Sequence, residues 1–118
     1  MTVTSLIDAQ INAGEELRRA IRRAFGPADL EVLKAELSAW SAGNERVLAG
    51  VFGESERRAY RRITALRGPA TGSFEDERTE VARTTDSRLR YLHAAVLRID
   101  LAREPRRKPW WWRRRRGP

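Results

Sequence analysis

The stretch LEVLKAELSAWSAGNERVLAGV, residues 30–51, decides the fold class. Leu30, Leu33, Leu37, Trp40, Asn44, Val47, Leu48 and Val51 recur at three- and four-residue steps, which makes one continuous helical face. Asp29 stands ahead of it as a cap and Gly53 just beyond it as a stop, so the spacing predicts a helix from Asp29 to about Phe52. No alternating β-branched run of strand length occurs in the sequence.

The flanking segments have the same character. Residues 5–25 predict a helix capped by Ser5, with Asp8 in its first turn and an apolar stripe of Leu6, Ile7, Ile11, Leu17, Ile21 and Phe25. Gly14 weakens its middle by about 1 kcal/mol against Ala, and Gly26-Pro27 ends it. A short helix over about 55–67 carries Tyr60, Ile63 and Leu66 on its apolar side. The turn-rich Gly68-Pro-Ala-Thr-Gly-Ser follows. Ser73 then caps a last helix running to about Arg103, with Val81, Leu89, Leu92, Val96 and Ile99 on its core face and Leu97 alongside. Four helices with short connections imply antiparallel neighbours, so the expected fold is all-α, a small up-down four-helix bundle.

Composition bounds the function. The chain has 118 residues, enough for one domain, with 34% charged and 41% apolar residues. Cysteine is absent, which excludes disulfides, thiolate nucleophiles, iron–sulfur clusters and Cys-containing zinc sites. A single histidine leaves multi-histidine metal sites and most His-based triads short of parts. No uncharged stretch exceeds eight residues, far below the roughly 20 apolar residues of a membrane-spanning helix. The first ten residues lack the basic start of a secretory signal, so the expected location is cytoplasmic, with any membrane contact peripheral, at the inner face.

The charge is unevenly placed. The formal net charge is +8, from 24 Lys+Arg and 16 Asp+Glu. Residues 105–118, PRRKPWWWRRRRGP, hold seven of the basic residues and no acid, which leaves 17 basic and 16 acidic residues in 1–104. The chain therefore reads as a nearly neutral helical body, 1–104, and a cationic tail, 105–118. Pro105 and Pro109 each lack a backbone donor, so the tail is expected to be disordered.

Candidate sites follow from this division. In the tail, Arg106, Arg107, Lys108, Arg113, Arg114, Arg115 and Arg116 flank Trp110, Trp111 and Trp112. Indoles favour the water–lipid boundary, and each arginine gains about 1 kcal/mol near an anionic leaflet. The same groups suit nucleic acid: indoles stack on unpaired bases, and seven phosphate contacts give a log–log salt slope of about −6. In the body, Arg18, Arg19, Arg22 and Arg23, and again Arg57, Arg58, Arg61 and Arg62, each span about 140° of helix surface and form a possible secondary basic face. A solvated surface is the plainer reading of both sets.

Other residues point to structure. His93 has no cleft or partner legible in the sequence and reads as a structural or surface histidine. Glu75, Asp76 and Glu77 project about 100° apart, so they suit a helix start better than a metal ion. Asn44 reads first as a peripheral amide at a bundle end and second as a buried register-setting amide. No cofactor, metal or small-molecule substrate is expected.

Trp40, Asn44, the run Val51-Phe52-Gly53-Glu54-Ser55 and Tyr60, with Tyr91-Leu92, Leu97 and Ile99 on the last helix, also form a pattern. With the Leu6-Ile7 and Gly14-Glu15-Glu16-Leu17 start, it resembles, over about residues 5–103, the small helical domain that precedes TIR-like and other effector domains in bacterial defence and signalling proteins. The resemblance implies a helical fold and a role in holding partners or subunits together. Here the tail follows where an effector would stand, so no catalytic residue carries over. The tail in turn resembles Trp/Arg-rich antimicrobial peptides of the cathelicidin type in composition and order. The leading expectation is a non-enzymatic interaction or adaptor module. Its bundle would bind a protein partner or itself, and its tail would attach it to an anionic lipid surface. The alternative is a non-specific nucleic-acid-binding protein using the tail and the Arg-rich helices.

Overall fold

The computed structural model describes residues 3–63 and 73–103. Four helices occupy them: α1 (Val3–Arg22), α2 (Pro27–Phe52), α3 (Glu54–Arg61) and α4 (Phe74–Arg103). There is no strand among the described residues, so the protein is all-helical there. Tail residues 105–118 and the apolar candidate Leu66 lie outside the described residues.

The helix ends show which local signals matter. Ser5 falls inside α1, which starts at Val3, so it is not the residue at the boundary. Pro27 does more than end α1. It opens α2, where its missing N–H is one that no helix turn would have used. Asp29 consequently sits in the first turn, not at the cap, and its carboxylate accepts from the Phe25 N–H at 3.2 Å. Gly53 ends α2 as expected: its φ of 100° lies where side chains are strained, and its N–H donates to Ala49 O at 2.9 Å. Helix α3 stops at Arg61 and not at residue 67; Ile63-Thr64, a β-branched pair of low helix propensity, follows the break. Ser73 does cap α4, its hydroxyl accepting from the Asp76 N–H at 3.1 Å.

One core joins the helices. Ile7, Ile11, Leu17 and Ile21 from α1 pack with Leu30, Leu37, Trp40 and Leu48 from α2, Tyr60 from α3, and Val81, Leu89, Leu92, Ala95 and Ile99 from α4. Burying each large aliphatic side chain contributes about 1.5–3 kcal/mol. Two stripe members depart from expectation. Phe25 lies beyond the last turn of α1 and is 94% exposed; Leu6 is 42% exposed. Thr85 takes a core place with its hydroxyl donating to Val81 O at 3.0 Å, so burial leaves no orphaned donor.

Gly14 has a role that helix propensity hides. A Cβ there would come within 2.6 Å of Leu89 Cδ2 and 2.9 Å of Trp40 Cε2. The missing side chain lets α1, α2 and α4 meet closely around the indole. The same indole donates its Nε1–H to Gln10 O at 2.8 Å. Contacts then fix the relative levels of the helices. Gln10 meets Asn44, Gly14 meets Trp40, Arg18 meets Asp86, and Arg78 donates to Ala24 O.

Candidate functional site

The first arginine set divides on inspection. Arg18 faces α4, bonded to Glu15 at 2.7 Å and to Asp86 at 3.4 Å, and is half-buried. Arg19, Arg22 and Arg23 are exposed and form no ion pair among the described residues. The second set divides in the same way. Arg57 pairs with Glu54 on its own helix, and Arg61 reaches Glu45 on α2. Arg58 and Arg62 remain exposed and unpaired among the described residues. Of eight candidates, Arg18 and Arg61 therefore tie helices together, Arg57 is paired within its own helix, and five present unpaired charge to solvent.

Three more arginines, Arg46 on α2 and Arg83 and Arg90 on α4, belong in that count of available charge. Arg83 and Arg90 are exposed, and their seven-residue separation puts them on one side of α4. Their signal was the spacing itself, hidden by the doublets elsewhere. The tail residues Arg106, Arg107, Lys108, Trp110, Trp111, Trp112, Arg113, Arg114, Arg115 and Arg116 lie outside the described residues.

Asn44 overturns its first reading. It is fully buried and not peripheral, and it links three helices. Gln10 Nε2 donates to its Oδ1 at 2.7 Å, and its Nδ2 donates to Tyr60 Oη at 2.8 Å. The three- and four-residue spacing from Trp40 and Leu48 already placed it on the core face. Its polarity argued the other way, and the partners that satisfy it come from distant segments. Around Tyr60 the network widens. Arg88 lies 5.6 Å from its ring centroid and donates to Ser41 Oγ at 2.5 Å, and the Tyr91 ring meets it edge-on at 5.7 Å. Burial pushes the Tyr60 hydroxyl above its ordinary range.

A second cluster fastens α3 to α4. Tyr91 donates its hydroxyl to the Glu56 carboxylate, and Arg98 Nη1 donates to the same carboxylate at 2.8 Å. The Tyr91 bond, with a smaller contribution from Arg98, holds the Glu56 carboxyl below its usual range against the opposing effect of burial. Burial, then the Glu56 bond, pushes Tyr91 up to about 12. At the other end of α4, Lys34 bonds Glu77 at 2.7 Å and Glu31 at 2.9 Å, which raises its pKa. This places two members of the Glu75-Asp76-Glu77 run in ion pairs, since Glu75 also pairs with Arg78.

These geometries are those of structural fasteners. His93 is largely exposed, 3.8 Å from Glu15. Among the described residues no group of three or more His, Asp or Glu side chains is placed to hold a metal ion, and no helix is long and apolar enough to cross a membrane. Comparison with protein families, with curated proteins and with solved structures finds no significant match to this chain.

Proposed function

We propose that the chain is a non-catalytic helical interaction module, an up-down four-helix bundle over residues 1–104. On this reading a cationic Trp/Arg tail, residues 105–118, without helical structure of its own, attaches it to an anionic membrane surface. The tail's composition carries the proposal: seven basic residues and three consecutive tryptophans in 14 positions, with no acid, on a body of net charge +1. Indoles partition to the interface while guanidinium groups engage lipid phosphates, and two such signals together give stable peripheral attachment. The order of contacts along α1, α2 and α4 supports the up-down arrangement. The bundle is assigned to a protein partner or a second copy, and the module to the cytoplasmic side of the membrane. Its similarity to the helical domains of bacterial defence and signalling proteins is part of the same proposal.

The deciding experiment is co-sedimentation with anionic and neutral vesicles at physiological salt. The full chain and a version ending at Glu104 run side by side, with and without single-stranded RNA. Tail-dependent binding to anionic vesicles that survives the RNA is the expected result. Absence of lipid binding, or its loss at sub-stoichiometric RNA, rejects the reading.

A second reading, non-specific nucleic-acid binding, is favoured by one observation: Arg19, Arg22, Arg23, Arg58 and Arg62 stand exposed without ion pairs among the described residues. It requires that reversing those charges weakens nucleic-acid binding even with the tail intact.

A further inference from the structure

A groove of mixed lining runs between α1 and α4 near the C-terminal end of α4. The exposed Asn12 and His93 stand in it beside Ile11, Val96 and Leu97. Leu97 is 58% exposed and Leu101, one turn further on, is 61% exposed, which is unusual for leucines on a helix that is otherwise well packed. Asp8 and Asp100 edge the groove, one from each helix. Both are exposed, and neither forms an ion pair among the described residues.

We infer that this groove is the docking site of the chain's own tail. Its chemistry suits a ligand that is aromatic and cationic together: Val96 and Leu97 offer apolar surface, Asn12 and His93 offer polar contacts, and Asp8 and Asp100 stand as unpaired carboxylates at the edges. Trp110-Trp111-Trp112 followed by four arginines has that composition in that order. Indole rings cover Val96 and Leu97, while Arg113–Arg116 reach Asp8 and Asp100. The chain length allows it. From Arg103 back to Val96 is seven residues of helix, about 10 Å. From Arg103 forward to Trp110 is seven residues of chain, up to about 23 Å when extended. A reversal near Pro105 therefore brings the tryptophans onto the groove with slack to spare. Tethering at this distance raises the effective concentration of the tail far above that of a free peptide, so weak individual contacts suffice.

The docking stands on the groove and the tail sequence alone. Its consequence rests on the proposed membrane role: a tail seated in the groove is withheld from lipid phosphates, and an anionic surface must compete it away. The module is then self-restrained, with Asp8 and Asp100 setting how readily the tail is released.

The absence of cysteine makes a direct test simple. A nitroxide is attached to the single cysteine of the full-length Arg114→Cys chain, and broadening of backbone amide resonances is read residue by residue. The expected pattern is strong broadening at Ile11, Asn12 and Val96 and little at Phe25. In the same chain carrying D8N and D100N, broadening at those three residues falls about threefold or more, the weight of two exposed ion pairs. High salt has the same effect on the unsubstituted chain. Equal broadening with and without D8N/D100N would mean a free tether and overturns the docking. So does a maximum along the neighbouring groove of Glu16, Glu36 and Trp40, or broadening that passes only between labelled and unlabelled chains in a mixture. Vesicle sedimentation separates the two proposals. If D8N/D100N frees the tail yet no chain binds anionic vesicles, the membrane role fails and the docking stands. If the tail is freed and binding by the unsubstituted and substituted chains is equal, the restraint is overturned.

Discussion

Asn44 Nδ2 donates to Tyr60 Oη at 2.8 Å in a place where neither side chain exposes more than 1% of its surface. That bond ties the short α3, only eight residues long, to the middle of α2. Removing one partner strands the other without water. Asn44→Ala is expected to cost about 2 kcal/mol, because Gln10 and Tyr60 both lose a partner; Tyr60→Phe, which takes the hydroxyl from Asn44 and from Ser41, about 1 kcal/mol. The double substitution should cost less than the sum. Urea midpoints for the three variants measure the coupling, and strict additivity would show that the two groups do not interact.

Three glycines that look alike in sequence should respond differently to alanine. Gly14→Ala gains about 1 kcal/mol in helix propensity but drives a methyl into Trp40 and Leu89, so a net loss of about 1–3 kcal/mol is expected. Gly50, exposed on α2 with nothing within 4 Å of its would-be Cβ, should become more stable by about 0.5–1 kcal/mol. Gly53 also has open space, but its φ of 100° strains any side chain, and a loss of about 1 kcal/mol is expected. Thermal unfolding of the three variants gives the order directly: Gly50→Ala highest, Gly14→Ala lowest.

These cases show what the sequence could convey. The α2 stripe was legible because period and burial agree: Leu30, Leu37, Trp40, Asn44 and Leu48 are all buried. Phe25 was misread because periodicity does not say where a helix stops, and α1 ends three residues before it. Gly14 looked like a defect since propensity is local, whereas the approach of Trp40 and Leu89 is a property of three helices together. The arginine sets had the same limit. Spacing shows that four charges share a face, but only the positions of Asp86 and Glu45 on other helices reveal that Arg18 and Arg61 are tied down. The groove between α1 and α4 was invisible in sequence for that reason too: Asp8 and Asp100 are 92 residues apart and edge one groove only through the packing of α1 on α4.

The α3–α4 fastener predicts a pH signature with two limbs. Glu56 has a depressed folded pKa, so its contribution to stability is present above its ordinary value of 4.5 and lost as the pH falls through the folded value. Tyr91 is raised from 10.0 to about 12, so its contribution is complete below pH 10 and lost as the pH rises towards 12. Glu56→Gln should flatten the acid limb and also narrow the alkaline one, because Tyr91 loses the carboxylate that holds its proton. Tyr91→Phe should remove the Tyr91 part of the alkaline limb altogether. Denaturant midpoints across pH 3 to 12 provide the check, and an acid slope below pH 4.5 unchanged by Glu56→Gln would rule out the depressed carboxyl.

The tryptophans separate the two anionic targets proposed for the tail. Replacing Trp110, Trp111 and Trp112 by Ala leaves all seven tail charges in place. Phosphate attraction therefore persists for lipid and nucleic acid alike, and only the aromatic contribution is removed. On a bilayer three indoles leave the interface, where each buries apolar surface that the headgroup region would otherwise not cover. On flexible single-stranded RNA they lose stacking worth about 1–3 kcal/mol per base, but only for those rings that find an unpaired base. The substitution should thus weaken anionic-vesicle binding at least tenfold, and RNA binding by a smaller factor with its salt slope unchanged. Sedimentation and RNA titration of the same preparation, each across a salt series, give both factors. Equal losses on the two targets would remove the support for a membrane role. A larger loss on RNA would identify the tryptophans as base-stacking groups and turn attention to Arg19, Arg22 and Arg23 as the surface that continues the tail.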